Sequence, residues 1–173
     1  MSQMNQEIFK KTVFVFKDKM YRFAKSLLID TDDAYDLVQE VMMKLWQMRD
    51  ELLVIANKEA FAMRCVRNEA MNRLKHAKVV QLHQHTLTEG VVQEHYPALT
   101  KELIQRLIAA LPEKQKMVMH LRDIEEYEIA EICETLDLEE SAVRVNLTRA
   151  RQRIKGQLQK IFDYEKRQIN GNV

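Results

Sequence analysis

Helix breakers are nearly absent from this chain: its 173 residues include only 3 Gly and 2 Pro. Glycine supplies the positive φ of tight hairpins, and proline removes a backbone donor and ends helices. A chain so poor in both is expected to be helices joined by short connections. Cysteine is scarce too. Cys65 and Cys133 stand alone in different segments, without CxxC or Cys/His spacing, so neither a zinc site nor a disulfide framework is suggested and both read as small core hydrophobes. No run approaches the ~18 apolar residues of a membrane span, and no charged-then-apolar leader opens the sequence, so a soluble cytoplasmic protein is expected, with no membrane insertion. Also missing are a nucleophile with its base, paired carboxylates and a phosphate loop at consistent spacing, which makes an enzyme the least favoured class. No cofactor or metal is expected.

Charge of one sign is absent locally rather than globally. The net charge is only +1, which taken alone argues against a nucleic-acid binder. Residues 30–40 carry five acids and no base, and residues 123–140 carry nine acids and no base, with Arg122 just before them. By contrast, Arg64, Arg67, Arg73, Lys75 and Lys78 face only Glu69 over residues 62–78, and residues 141–160 hold six bases and no acid. Two basic helices separated by acidic ones give positive potential on two surfaces while the total nearly cancels.

Apolar periodicity supplies the elements. Ile8, Phe9, Val13, Phe16, Met20, Phe23, Ala24, Leu27 and Leu28 recur at helical steps, predicting one helix from Gln6 to Leu28 with a Phe-rich core stripe. Thr31 is expected to cap a second helix, with Asp32 and Asp33 in its first turn, ending near Trp46 or Met48. Asn57 is expected to cap a third that ends near Ala77, after an apolar loop over residues 49–56. Residues 79–99 lose the pattern and read as a flexible interdomain linker. His76 just before it and His83, His85 and His95 within it lack the Cys or acidic partners a metal site needs. Beyond it, Leu103, Leu107, Ala110 and Leu111 predict a short helix stopping at Pro112, then helices over 113–122, 128–136 and 140–162. The expected class is all-α: two small helical domains, 1–78 and 100–173, joined by residues 79–99.

The run Glu128 to Cys133, then Leu136, Leu138, Val143 and Leu147, is the pattern a helix-turn-helix requires. Ala130 is small where the two helices are expected to pack closely, and Ile129, Ile132 and Leu138 fill the wedge. That leaves Arg144, Val145, Thr148 and Arg149 outward, residue types suited to base edges and phosphates of a major groove, with Arg151, Arg153 and Lys155 adding phosphate contacts. A merely solvated basic face on a helical hairpin is the plainer alternative.

Here the chain resembles a known family along residues 9–158. Asp33-Ala34-Tyr35-Asp36-Leu37-Val38-Gln39-Glu40-Val41-Met42-Met43-Lys44-Leu45-Trp46 is similar to the second-region helix of extracytoplasmic-function sigma factors, often written DAEDLVQEVFLKLW. Leu111-Pro112-Glu113, the Glu128 to Cys133 run, and Val143 through Arg149-Ala150-Arg151 resemble that family's fourth region. The resemblance implies a sigma factor that binds core RNA polymerase and directs promoter-specific initiation at −35 and −10 elements. It implies that Asp36, Gln39, Glu40, Met43 and Trp46 meet the β′ clamp coiled coil, with the β flap as a further polymerase contact. Arg64 to Lys75 is similar to the family's −10 helix, so Asn57, Arg64, Arg67, Asn68 and Lys75 are candidates for −10 strand contacts and residues 52–57 for a flipped-base loop. Ser141, Arg144, Val145, Asn146, Thr148, Arg149 and Arg151 are candidates for the −35 duplex. An anti-sigma factor is a further implied partner.

Some positions depart from the family. Phe61 stands for a usual Trp, Asn72 for Asp and Met42 for Phe, while Ser141-Ala142 replaces Gly-Thr and Val145-Asn146 replaces Ser-Arg. Promoter preference therefore does not transfer, and Asn146 could pair with adenine. A dimeric two-domain regulator would share the Glu128 to Arg151 pattern but leaves the Asp33 to Trp46 match unexplained. A helical adaptor without a nucleic-acid role is a third alternative, which predicts promoter-independent, salt-insensitive behaviour.

Overall fold

The computed structural model describes residues 4–28, 30–83 and 101–170, and regular structure among them is helical throughout, as the scarcity of Gly and Pro leads one to expect. The N-terminal half holds α1 (Gln6–Thr12), α2 (Lys17–Leu27), α3 (Thr31–Gln47) and α4 (Lys58–His83). The C-terminal half holds α5 (Lys101–Ala109), α6 (Glu113–Met119), α7 (Ile129–Leu136) and α8 (Glu140–Asn170).

The single helix expected over Gln6 to Leu28 is instead two, joined by a 3₁₀ turn at Phe14–Phe16. Val13, with φ −128° and ψ −51°, leaves the helical region, and Thr12 Oγ1 donates to the Ile8 carbonyl at 2.8 Å, a side-chain bond that competes with the helical ladder. The break rotates the stripe. Phe9, Val13, Met20 and Phe23 are buried, but Ile8, expected inside, is 39% exposed.

Asp30, not Thr31, caps α3: its Oδ1 accepts from the Asp32 and Asp33 amides at 2.7 and 3.3 Å. A carboxylate at the positive end of a helix is stabilised by the dipole as well as by the hydrogen bonds, which a hydroxyl gains less from. Thr31 becomes the first helical residue. Asn57 does cap α4, its Oδ1 accepting from the Ala60 amide at 3.0 Å. Helix α4 continues past Ala77 to His83, into the stretch expected as linker. The remainder of that linker, with His85 and His95, lies outside the described residues.

In the C-terminal half, Pro112 sits at the N-cap of α6, and the chain passes through one π turn, His120–Ile124, before α7. Glu128 and Glu131 form a reciprocal capping box at the start of α7, and Asp137 ends it in the left-handed region at φ 54°. That residue sets the turn into α8, which runs well beyond Phe162. Ala130 is exposed rather than at the helix crossing; Ile132 and Thr135 are the fully buried residues of α7.

Buried side chains of both halves share one continuous apolar cluster, from Phe23, Leu37 and Val66 to Val118, Leu121, Ile132 and Val143. Each fully buried side chain of this size is worth ~1.5–3 kcal/mol. A second, small cluster of Ile108, Leu111, Ala150 and Ile154 fastens α5 to the middle of α8.

Candidate nucleic-acid interface

Helix α8 presents two unlike faces over its first three turns. Val143, Leu147 and Ala150 are buried, which leaves Ser141, Arg144, Val145, Thr148, Arg149 and Arg151 exposed, as the periodicity requires. Asn146 is half-buried and donates back to the Ala142 carbonyl at 2.8 Å, so its amide is engaged within the helix. Arg144 pairs with Glu140 at 2.7 Å one turn earlier, and both are exposed, so that pair is weak and easily exchanged for a phosphate. Arg151 forks onto Asp123 at 2.5 and 3.2 Å, which ties α8 to the π turn. Burial of the intervening apolar residues thus holds a row of cations and hydroxyls outward on one rigid helix.

The α4 residues are arranged differently. Asn68 and Lys75 are exposed, but Asn57, Arg64 and Arg67 are half-buried. Asn57 Nδ2 donates to the Glu134 carboxylate at 2.8 Å, and Arg64 Nη2 to the Glu134 carbonyl at 2.6 Å. Arg67 donates to the Leu136 carbonyl with Nη1 and to Asn68 Oδ1 with Nε and Nη2. Burial pulls the Arg67 guanidinium below its ordinary pKa, with Arg64 beside it acting the same way and Asp137 opposing. These donors therefore reach the C-terminal end of α7 from a half-buried position. In the loop before α4, Leu52 is anchored in the core while Val54 is 88% exposed.

Helix α3 buries Leu37, Val38, Val41, Met42 and Leu45 and presents Asp36, Gln39, Glu40, Met43 and Trp46 outward. Met42, which stands for a ring in the family pattern, is thus a core residue. Glu40 pairs with Arg73 of α4 at 2.9 Å, and Lys44 with Glu69 at 3.0 Å. Trp46 meets Phe9 edge-on at 5.1 Å and carries Arg49 over its ring at 4.7 Å, so its indole is held in place.

Sequence reasoning passed over the groups that join the halves. Arg22 of α2 forks onto Glu125, both bonds at 2.7 Å, and His120 Nε2 lies 3.3 Å from the same carboxylate. Burial alone would raise the Glu125 pKa, but Arg22 and His120 outweigh it and hold the carboxyl at about 2. Nearby, the Tyr127 hydroxyl donates to Glu59 at 2.5 Å, and Lys19 pairs with the same Glu59 at 2.7 Å. Burial and that carboxylate push the Tyr127 phenol well above its ordinary value. No residue pattern marks these partners, because Glu125 is one acid among nine. Among the described residues no group of three or more His, Cys, Asp or Glu is placed to hold a metal ion, and no helix is long and apolar enough to cross a membrane.

This helical architecture, with a helix-turn-helix at one end and an acid-faced helix at the other, matches known proteins. Residues 15–79 match the family model for sigma-70 region 2, and residues 101–154 match that for sigma-70 region 4. Between them, two regions of one family account for more than half of the chain. The chain is 24% identical over 170 residues to the ECF RNA polymerase sigma factor SigW of Bacillus subtilis (strain 168), covering 89% of this chain and 90% of that protein. Its fold is similar to that of the sigma factor RpoE, solved in complex with the anti-sigma factor NepR from Bartonella quintana, with a TM-score of 0.73 at 23% identity over 87% of this chain and 96% of that one. It is also similar to CnrH, solved in complex with the cytosolic domain of CnrY, with a TM-score of 0.67 at 20% identity over 90% of each chain. The chain belongs to the sigma-70 family of RNA polymerase sigma factors, in its extracytoplasmic-function group. Its function is promoter-specific transcription initiation.

Proposed function

We propose how the residues divide this work. Helix α3 docks on core RNA polymerase, with Asp36, Gln39, Glu40, Met43 and Trp46 against the β′ clamp coiled coil, and the C-terminal half meets the β flap. Helix α8 enters the major groove of the −35 duplex through Ser141, Arg144, Val145, Thr148 and Arg149, with Asn146 at the edge of that face and Arg151 on a phosphate. Helix α4 and the loop before it take the opened −10 strand: Asn57, Arg64, Arg67, Asn68 and Lys75 supply donors and cations, and Val54 stands outward where an unstacked base would rest. The protein acts without catalysis of its own, in the cytoplasm, and without a cofactor.

The observation that carries this reading is the split of α8, whose apolar residues Val143, Leu147 and Ala150 are buried while Arg144, Thr148 and Arg149 line the opposite side. Such a face, rigid and cationic at the N-terminal half of a helix, fits a groove lined by acceptors and phosphates. An inhibitory anti-sigma partner is supported by the two solved relatives, a sigma factor bound to an anti-sigma factor and CnrH bound to the cytosolic domain of CnrY.

In vitro transcription with core polymerase and a genomic library tests the assignment. Start sites that appear only when this chain is added are expected. A chain that confers no site-selective initiation would overturn it.

A further inference from the structure

Not every polar group on the outer side of α8 is available to a base. Asn146 is half-buried and its Nδ2 donates to the Ala142 carbonyl at 2.8 Å, so the donor and acceptor that an adenine edge requires together are not both presented outward. Thr148 donates its one hydroxyl proton to the Arg144 carbonyl at 2.9 Å, and what it adds to the surface is chiefly its methyl group. Val145, three residues earlier and so its neighbour on the helix, is 46% exposed. Positions 144, 145, 148 and 149 form one lozenge on the surface of α8, with Val145 and Thr148 across its short diagonal and the exposed Arg144 and Arg149 at its ends.

A valine is an unexpected choice for the middle of this face. A β-branched residue is a poorer helix former than the Ala, Gln, Lys or Arg that serves an exposed position equally well, and residues 141–160 hold six bases and no acid. Its χ1 is stiff, so both methyl groups are held in one direction with little freedom left to lose on contact. In a major groove only thymine presents a methyl group. The edges of guanine, adenine and cytosine present acceptors and donors that a valine would strip of water and leave unpaired.

We propose that Val145 is a specificity-determining residue of this chain: it reads the C5-methyl group of a thymine in the −35 duplex, with the Thr148 methyl beside it. Arg144 and Arg149 flank that thymine, on guanine edges or phosphates. Preference for thymine comes from hydrocarbon contact, and rejection of the other bases from polar edges left without partners. Asn146 takes no base. Val145 and Asn146 are also positions at which this chain leaves the family pattern, so the preference belongs to this chain. The inference rests on the placement of α8 in the −35 groove and adds which base the centre of that helix selects.

Holoenzyme assembled from core polymerase and the full chain serves for the test, on promoter fragments taken from start sites that appear only when the chain is present. Each thymine of the −35 segment is replaced, one at a time, by deoxyuridine, which removes the C5-methyl group and no other atom of the base edge. Fluorescence anisotropy reports binding for the parent, Val145→Ala and Arg149→Ala. At one thymine the parent should lose about 4-fold in affinity, the equivalent of one methyl group left uncovered. Val145→Ala should lose most of that difference, whereas Arg149→Ala should bind every fragment more weakly and keep it. Cytosine in place of the same thymine should cost the parent more than uracil does, and 5-methylcytosine should recover part of the loss for the parent but not for Val145→Ala. If uracil at every position leaves the parent's affinity unchanged while scrambling the −35 segment abolishes it, the proposal is overturned and the groove assignment stands. A uracil effect undiminished in Val145→Ala also overturns it, because the methyl group is then felt by another side chain or by the duplex itself. If scrambling the −35 segment changes nothing, the groove assignment fails and the proposal with it.

Discussion

Glu125→Gln removes a buried charge that joins the two halves, and its effect on stability has a defined dependence on pH. The carboxylate is 2% exposed and receives two hydrogen bonds from Arg22 at 2.7 Å. Its pKa falls from the ordinary 4.5 to about 2 in the folded chain, against the effect of burial, because Arg22 and His120 favour the ionised form. That difference corresponds to about 3 kcal/mol of stability. A carboxyl whose folded pKa is depressed contributes fully above the unfolded value. Below pH 4.5 the unfolded chain takes up the proton first, and the contribution fades as pH falls towards 2. Glutamine cannot titrate, so the difference between parent and variant isolates this group from every other carboxylate. Urea unfolding followed by circular dichroism should show the variant less stable by about 3 kcal/mol near neutral pH, with about 2 kcal/mol of that difference gone by pH 3. A difference that stays constant to within about 0.5 kcal/mol from pH 7 to pH 3 would refute the assignment of the shift to this pair.

Other outcomes follow from the same structure. Arg149→Ala removes an exposed cation from the face of α8 proposed to enter the groove and should weaken −35 duplex binding by the holoenzyme by about 1–3 kcal/mol, read as a filter-binding or anisotropy shift, with affinity for core polymerase unchanged. Asp36→Ala with Gln39→Ala should do the reverse, lowering co-elution with core polymerase and leaving duplex binding intact; normal core affinity would contradict the docking role of α3. Gly156 lies within α8 with nothing within 4 Å of where a Cβ would sit, so Gly156→Ala should stabilise the chain by about 0.5–1 kcal/mol in thermal melts.

Helix existence was legible in the sequence because buried positions recur with the helical period, and Val118, Leu121, Val143 and Leu147 all fall where that period puts them. The break at Val13 was not, since β-branched and aromatic residues there satisfy either one helix or two, and the choice is made by packing. Ala130 misled for a related reason: a small side chain is compatible with close approach but does not require it, and Thr135 took the buried position. On the candidate site, the cationic face of α8 followed directly from its apolar stripe. What α4 touches did not, because its partners on α7 are about seventy residues away and two of the three acceptors are main-chain oxygens. The opposite charges of the two segments were visible, but a linear pattern does not say that they meet each other.

Peptide oxygens are common to every residue type, and this bears on how the contact between Arg67 and position 136 can change over generations. Nearly any residue that keeps the last turn of α7 wound can occupy the exposed position 134, and any apolar residue that fills the core can occupy position 136, and still present the same oxygens, so drift within those limits leaves the grip on both arginines in place. Pairwise co-variation, which detects side chains that change together, would find nothing linking 67 to 136. A contact of this kind persists through divergence without leaving a trace in an alignment.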